Sequence, residues 1–170
     1  MDTGFIVFNK KNYPNLVSLF NHLNIEYSES NMSFGASISS GKLEYGTSNL
    51  SSMFAQKRNL FNWRFLLMIK DIFKFYKNVE NYIDTDLSAG KMLKKMNLGE
   101  CFKNNFLLPI AASIWSSKSF QILNFPTKTF VDFFDNHGLL SVSNQPQWYS
   151  VIGGSKNYAS KLSNLFKDRM

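Results

Sequence analysis

From Asn62 onward the chain carries apolar side chains at an interval that only a helix can use. Phe65, Met68, Ile69, Ile72, Phe73, Tyr76, Val79 and Ile83 recur three or four residues apart, a stripe over roughly five turns. Lys70, Lys74, Lys77 and Glu80 fall on the other side. A helix with so wide an apolar face is stable only when other elements cover it, so this segment fixes the centre of a core. Shorter helical patterns surround it. Leu16, Leu19, Phe20 and Leu23 follow the turn Asn12-Tyr13-Pro14-Asn15, and Ser88 to Met96 predicts a short helix that stops near Gly99. Glu100 to Ser117 reads as a helix kinked by Pro109, whose ring and missing N–H break the backbone ladder. Pro126 opens a further helix through Phe130, Val131, Phe133 and Phe134, closing at His137-Gly138.

Strand signals lie towards both ends. Asp2-Thr3-Gly4 leads directly into the β run Phe5-Ile6-Val7-Phe8. Met32 to Ser39 alternates Met32, Phe34, Ala36 and Ile38 with small or polar residues, and Lys42 to Thr47 is its hairpin partner across Ser40-Gly41. Near the C-terminus an aromatic-flanked run, Gln147-Trp148-Tyr149-Ser150-Val151-Ile152, enters Gly153-Gly154-Ser155, and Tyr158, Leu162, Leu165 and Phe166 then take helical spacing. Two readings of that turn stand side by side. Ser155 serves as the N-cap of a tight strand-to-helix turn, or the paired glycines, lacking Cβ atoms, let a ligand approach bare backbone at a helix N-terminus. No linker, repeat or low-complexity tract divides the sequence. The expectation is one α+β unit over residues 1–170, with an antiparallel sheet and a helical middle.

Several functions are excluded by composition and spacing. The net charge of +7 comes from dispersed lysines, 16 Lys against 3 Arg, with no basic run that could track a phosphate backbone, so nucleic acid is not an expected partner. Cys101 is the sole cysteine, which rules out an intramolecular disulfide and suits a reducing, cytoplasmic compartment. His22 and His137 stand far apart, so no metal site is expected. The longest apolar stretch, Phe106 to Trp115, is too short to span a bilayer, which leaves contact with a membrane surface open. Asp132, Asp135 and His137 resemble an acid–base set, but a helix C-terminus favours a histidine by its dipole alone. No Gly-x-Ser-x-Gly elbow, Gly-x-Gly-x-x-Gly loop or Gly-x4-Gly-Lys-Ser/Thr loop occurs, and no residue is assigned a catalytic role.

Taken in order, the remaining strings point one way. Asp2-Thr3-Gly4-Phe5-Ile6-Val7-Phe8-Asn9 resembles the Asp-x-Gly strand that follows the dinucleotide-binding unit in flavin-containing amine oxidases and phytoene desaturases. Asn12-Tyr13-Pro14-Asn15-Leu16, Met32-Ser33-Phe34, Phe54-Ala55-Gln56-Lys57-Arg58-Asn59-Leu60, Leu108-Pro109-Ile110-Ala111-Ala112-Ser113-Ile114-Trp115-Ser116 and Asn136-His137-Gly138-Leu139-Leu140 are similar to a narrower group. That group is the bacterial predicted NAD/FAD-binding oxidoreductases of the same superfamily. Gln147-Trp148 through Gly153-Gly154-Ser155 resembles the group's Trp-x-x-Val-x-Gly-Gly-Ser.

The resemblance implies an internal fragment of an FAD-linked amine-oxidase-like fold, with Met1 an internal start. The whole chain would be a single unit, a substrate-binding region with small parts of the FAD-binding domain at both ends, about 1–10 and 147–170. FAD is the implied cofactor, with Asp2, Thr3, Gly4, Phe5, Trp148, Gly153, Gly154 and Ser155 beside it. Tyr13, Trp115, His137 and Tyr149 would border an apolar or amine substrate. The Asp2–Asn9 and Gln147–Ser155 segments would have to lie side by side. The alternative is a non-catalytic domain of the same fold that binds an apolar ligand or another protein.

Overall fold

The computed structural model describes residues 5, 7–140 and 146–167. In chain order the elements begin β1 (Val7–Asn9), α1 (Pro14–His22), β2 (Tyr27–Ser30), β3 (Gly35–Ile38), β4 (Leu43–Gly46) and α2 (Leu50–Met53). The helical middle comprises α3 (Trp63–Asn78), α4 (Ala89–Lys95), α5 (Glu100–Phe102), α6 (Leu108–Trp115), α7 (Ser119–Ile122) and α8 (Thr127–Asn136). The chain closes with β5 (Trp148–Val151) and α9 (Ser155–Leu165). The α+β class expected from the patterning is present, as many helices with two small antiparallel sheets. The chain divides into two compact units: Met1–Met32 with Val142–Met170, and Ser33–Ser141.

In the first unit β5 is the central strand of a three-stranded sheet, flanked by β1 and β2. Both pairings are antiparallel, with Phe8 opposite Tyr149 and Tyr27 opposite Val151. Strand alternation puts Phe8, Tyr27, Tyr149 and Val151 on one face, and these pack with Phe20, Leu23 and Ile25 and with Tyr158 and Leu162 of α9. Helix α1 ends in a left-handed residue, Asn24 (φ 50°). The Ile25 N–H then returns to the Phe20 carbonyl at 2.8 Å, a hydrogen-bonded stop that leaves the last carbonyls to another donor. Lys161 of α9 is that donor, its Nζ meeting the Leu23 and Asn24 carbonyls at 3.0 and 2.7 Å. Strand β2 was not foreseen. Its sequence, Tyr27-Ser28-Glu29-Ser30, has too few apolar residues to announce a strand, and pairing with β5 creates it.

The second unit holds the larger core. The α3 stripe is buried at Phe65, Met68 and Ile72 as expected, and Val79 is buried just beyond the helix. Phe75 replaces Phe73 on the inner face: Phe75 is inaccessible whereas Phe73 is exposed, because position 75 lies three beyond Ile72 and position 73 turns outward. Helix α4 stops at Asn97 (φ 50°), not at Gly99. The Leu98 N–H reaches back to the Leu93 carbonyl, while Gly99 precedes the next helix and donates its N–H to Asp71 Oδ2 at 2.8 Å. Helix α8 ends at His137-Gly138 as predicted, with Leu139 N–H on the Phe134 carbonyl at 2.8 Å.

Pro109 has a sharper effect than a kink. The helix from Glu100 widens into a π-helical turn over Lys103–Leu107 before resuming as α6 and ending at Trp115, short of Ser117. Proline lacks the N–H that an α-helix would deliver to the carbonyl four residues earlier, that of Asn105. The Tyr45 hydroxyl from β4 supplies the missing donor, 2.5 Å from the Asn105 oxygen. Tyr45 is buried, with its ring near Phe65 and Phe106. Burial pushes its phenol far above the ordinary tyrosine range, with the nearby Cys101 and Tyr76 adding to the rise.

The β3–β4 hairpin is clasped by the segment that follows it. Gln56 Nε2 donates to the Gly41 carbonyl at 2.9 Å, and Arg58 Nη2 donates to the Gly41 and Lys42 carbonyls at 3.0 and 2.8 Å. Buried Asn59 donates to the Glu44 carbonyl at 3.3 Å. The Gln56-Lys57-Arg58-Asn59 string therefore has a local structural task.

Two outcomes are expected. Tyr45→Phe should destabilise the protein by about 1–3 kcal/mol in urea unfolding, since a partly buried carbonyl loses its donor. Pro109→Ala in the Tyr45→Phe background should recover part of that loss by restoring an N–H at position 109. Burial also raises the Tyr76 phenol from 10.0 to about 12. The folded state then binds a proton that the unfolded state releases, so this contribution is whole below pH 10 and falls away towards pH 12. Unfolding measured at successive alkaline pH values should show a shallower fall for Tyr76→Phe than for the native chain.

Candidate functional site

Strand β5 runs directly into the turn that the sequence singles out. Gly153 and Gly154 both adopt positive φ, 76° and 81°, a conformation that glycine takes without a Cβ clash. Gly154 is the N-cap of α9 and Ser155 its first helical residue, so the expected N-cap lies one position too late. The first helical residue is past the capping position, and Gly154, at φ 81° and ψ 179°, a region open essentially to glycine alone, enters the helix instead.

The space beside Gly153 is already taken. A Cβ built there would stand 2.6 Å from Asn157 Nδ2. That amide donates to the Ile152 carbonyl at 2.5 Å, tying the first turn of α9 back onto the end of β5. The opening at Gly153 is thus filled by the chain's own asparagine.

Of the expected cofactor neighbours, Asp2, Thr3 and Gly4 fall outside the described residues. Phe5 is exposed; its N–H donates to the Tyr158 hydroxyl at 3.1 Å, and its ring lies 5.3 Å from Tyr13. Trp148 is buried, on the sheet face opposite Tyr149 and Val151. Tyr149 is half-buried in an aromatic group, 5.9 Å from Phe8 and 5.5 Å from Tyr27 between ring centroids. Lys10 Nζ sits 4.5 Å from the centre of the Tyr149 ring and 5.4 Å from that of Tyr27, a cation–π arrangement that covers this edge of the sheet with charge. Tyr13 precedes α1 and packs against the same core.

Trp115 and His137 belong to the second unit, and there they come together. Both lie against Phe133, with ring centroids 4.3 Å from Trp115 and 3.9 Å from His137. The His137 Nδ1 is 2.8 Å from the Phe133 carbonyl, which makes this histidine the C-terminal cap of α8. Asp132 pairs with Lys128 at 3.1 Å, one turn earlier on the same helix. Of the acid–base set suggested by Asp132, Asp135 and His137, His137 is accounted for by helix capping and Asp132 by an exposed ion pair.

Sequence reasoning missed two residues of this region, Asn157 and Lys161. The signal for Asn157 is spacing, since it follows a Gly-Gly turn in the first turn of a helix, where polar side chains reach back to preceding carbonyls. Lys161 has no local signal, because its partners, Leu23 and Asn24, lie at the other end of the chain. Among the described residues no group of three or more His, Cys, Asp or Glu stands close enough to hold a metal ion. No helix among them is long and apolar enough to cross a membrane. No protein-family model matches the chain, and no curated protein matches it.

The Gly153–Asn157 arrangement sets a stability prediction. Gly153→Ala should destabilise the protein by about 1–3 kcal/mol in chemical unfolding, through a strained positive φ and a forced shift of Asn157. Adding Asn157→Ala should remove the clash but not the backbone strain, so the double variant should cost less than the two single effects summed.

Proposed function

We propose that the chain supplies the substrate-side region, with small parts of the cofactor domain, of an FAD-dependent oxidoreductase of the amine-oxidase and desaturase kind. The observation that carries this reading is the antiparallel pairing of β1 with β5. Segments from the two ends of the chain, in the two strings that resemble flavin-side sequence, form one sheet, while Ser33–Ser141 makes a separate unit. A cofactor portion interrupted by a substrate portion is the layout that the resemblance implies.

In such an enzyme the flavin supplies the redox chemistry, accepting a hydride from a C–H bond beside nitrogen or within a lipid-like chain. The contribution of this chain is to bind substrate and exclude water. Since no Gly-x-Gly-x-x-Gly loop occurs in this sequence, the pyrophosphate cradle is assigned to another part of such an enzyme, where that loop would provide it.

A second reading, a non-catalytic interaction domain, is favoured by one observation: Leu60, Phe61, Trp63, Leu66 and Leu67 are all exposed on the second unit. The two readings part at the flanking DNA and at the spectrum. Under the flavin reading, the coding sequence upstream should encode a strand followed by Gly-x-Gly-x-x-Gly. The chain alone should take up no FAD in equilibrium dialysis, and the extended protein should show a stoichiometric flavin spectrum. Flanking DNA without such a unit would overturn the flavin reading, and stoichiometric FAD on the isolated chain would overturn the assignment of the cradle.

A further inference from the structure

Residues 57–70 hold four cations, Lys57, Arg58, Arg64 and Lys70, and no acidic residue. All four are exposed, and so are Leu60, Phe61, Trp63, Leu66 and Leu67 between them. Phe61 and Trp63 are 90% and 63% accessible, values that leave the first ring almost wholly and the second largely in water. On α3, positions 63, 66, 67 and 70 share one face by their helical spacing, opposite the buried Phe65, Met68 and Ile72. The next acidic residue, Asp71, is only partly exposed, and its carboxylate is engaged by the Gly99 N–H. The Arg64 guanidinium lies 5.4 Å from the Trp63 ring centre, so cation and aromatic are presented together.

We propose that this face is a docking surface for an anionic lipid bilayer. Exposed Trp, Phe and Leu interleaved with Lys and Arg match the boundary between headgroups and acyl chains, where rings and aliphatic groups bury while cations meet lipid phosphates. Charge complementarity selects this occupant. A second copy docked face to face would set Lys57, Arg58, Arg64 and Lys70 against the same four cations, which like-charge repulsion opposes. A nucleic acid could stack bases on Phe61 and Trp63, but it would leave the exposed aliphatic side chains of Leu60, Leu66 and Leu67 in water, whereas an acyl boundary buries rings and aliphatic groups together. The inference stands independently of the flavin reading.

The test uses the full chain with sedimented phosphatidylcholine vesicles, with and without phosphatidylglycerol. The chain should pellet with the mixed vesicles and remain in solution with phosphatidylcholine alone, and added salt should weaken the association. Arg64→Gln with Lys70→Gln should weaken partitioning by about 10- to 30-fold, from the known attraction of each cation near an anionic surface. Phe61→Ser with Trp63→Ser should weaken it by about tenfold or more through lost apolar burial. All four of these side chains are exposed, and circular dichroism should confirm unchanged folding. Phe120→Ser, which removes another exposed ring of the same unit, should bind as the native chain does. Equal pelleting with both vesicle types, or no loss in either double variant, would overturn the proposal. So would sedimentation equilibrium showing a dimer that Phe61→Ser with Trp63→Ser converts to monomer, because the occupant would then be a second copy.

Discussion

The first unit depends on β5 having a partner on each side. Four residues, Trp148–Val151, accept β1 along one edge and β2 along the other, and both partners come from the first thirty residues. Without β5, β1 and β2 would expose unpaired backbone groups and the apolar face carrying Phe8 and Tyr27. The long separation in sequence makes this closure costly in chain entropy. Aromatic contacts on the inner face help to offset that cost, with Phe8 within 5.2 Å of both Phe20 and Tyr27 between ring centroids. Lys161 adds a polar tie from α9 to the end of α1. Sheet and helices are therefore mutually required, and none of these short strands would be stable by itself.

A comparable dependence runs through the second unit. Pro109 deprives the Asn105 carbonyl of its helical donor, and Tyr45 answers from a hairpin some sixty residues earlier. The hairpin is in turn held in shape by Gln56, Arg58 and Asn59. A missing backbone N–H thus recruits a buried phenol, and the phenol fixes where the hairpin must lie on the helical core. The strength of that tie follows from burial, because a carbonyl and a hydroxyl deprived of water have little else to bond.

Several residues that invite a functional reading carry structural work as well. His137 caps α8, Arg58 clasps a hairpin loop, and Gly153 yields its space to Asn157. What lacks such an internal explanation is the outward face of residues 60–67, where large apolar groups stand in water among cations. Cores explain inward-facing apolar side chains, and the proposed bilayer contact is what would cover this outward set.

The periodicity of the sequence was enough to place α1, α3, α8, the β3–β4 hairpin and the strand before the Gly-Gly turn, because apolar spacing records which face of an element must leave water. The adjacency of the Phe5–Asn9 and Gln147–Ile152 regions was legible only through resemblance, since nothing local in either segment names its partner. Tertiary structure alone decided the rest. It made Tyr27–Ser30 a strand, chose Phe75 over Phe73 for the interior and stopped α4 at Asn97. It also filled the space at Gly153 with Asn157. Each of these depends on a hydrogen-bond partner or a packing surface supplied by another part of the chain or a later turn. Local sequence states what a residue can do, and the surroundings that it meets after folding select which of those things it does.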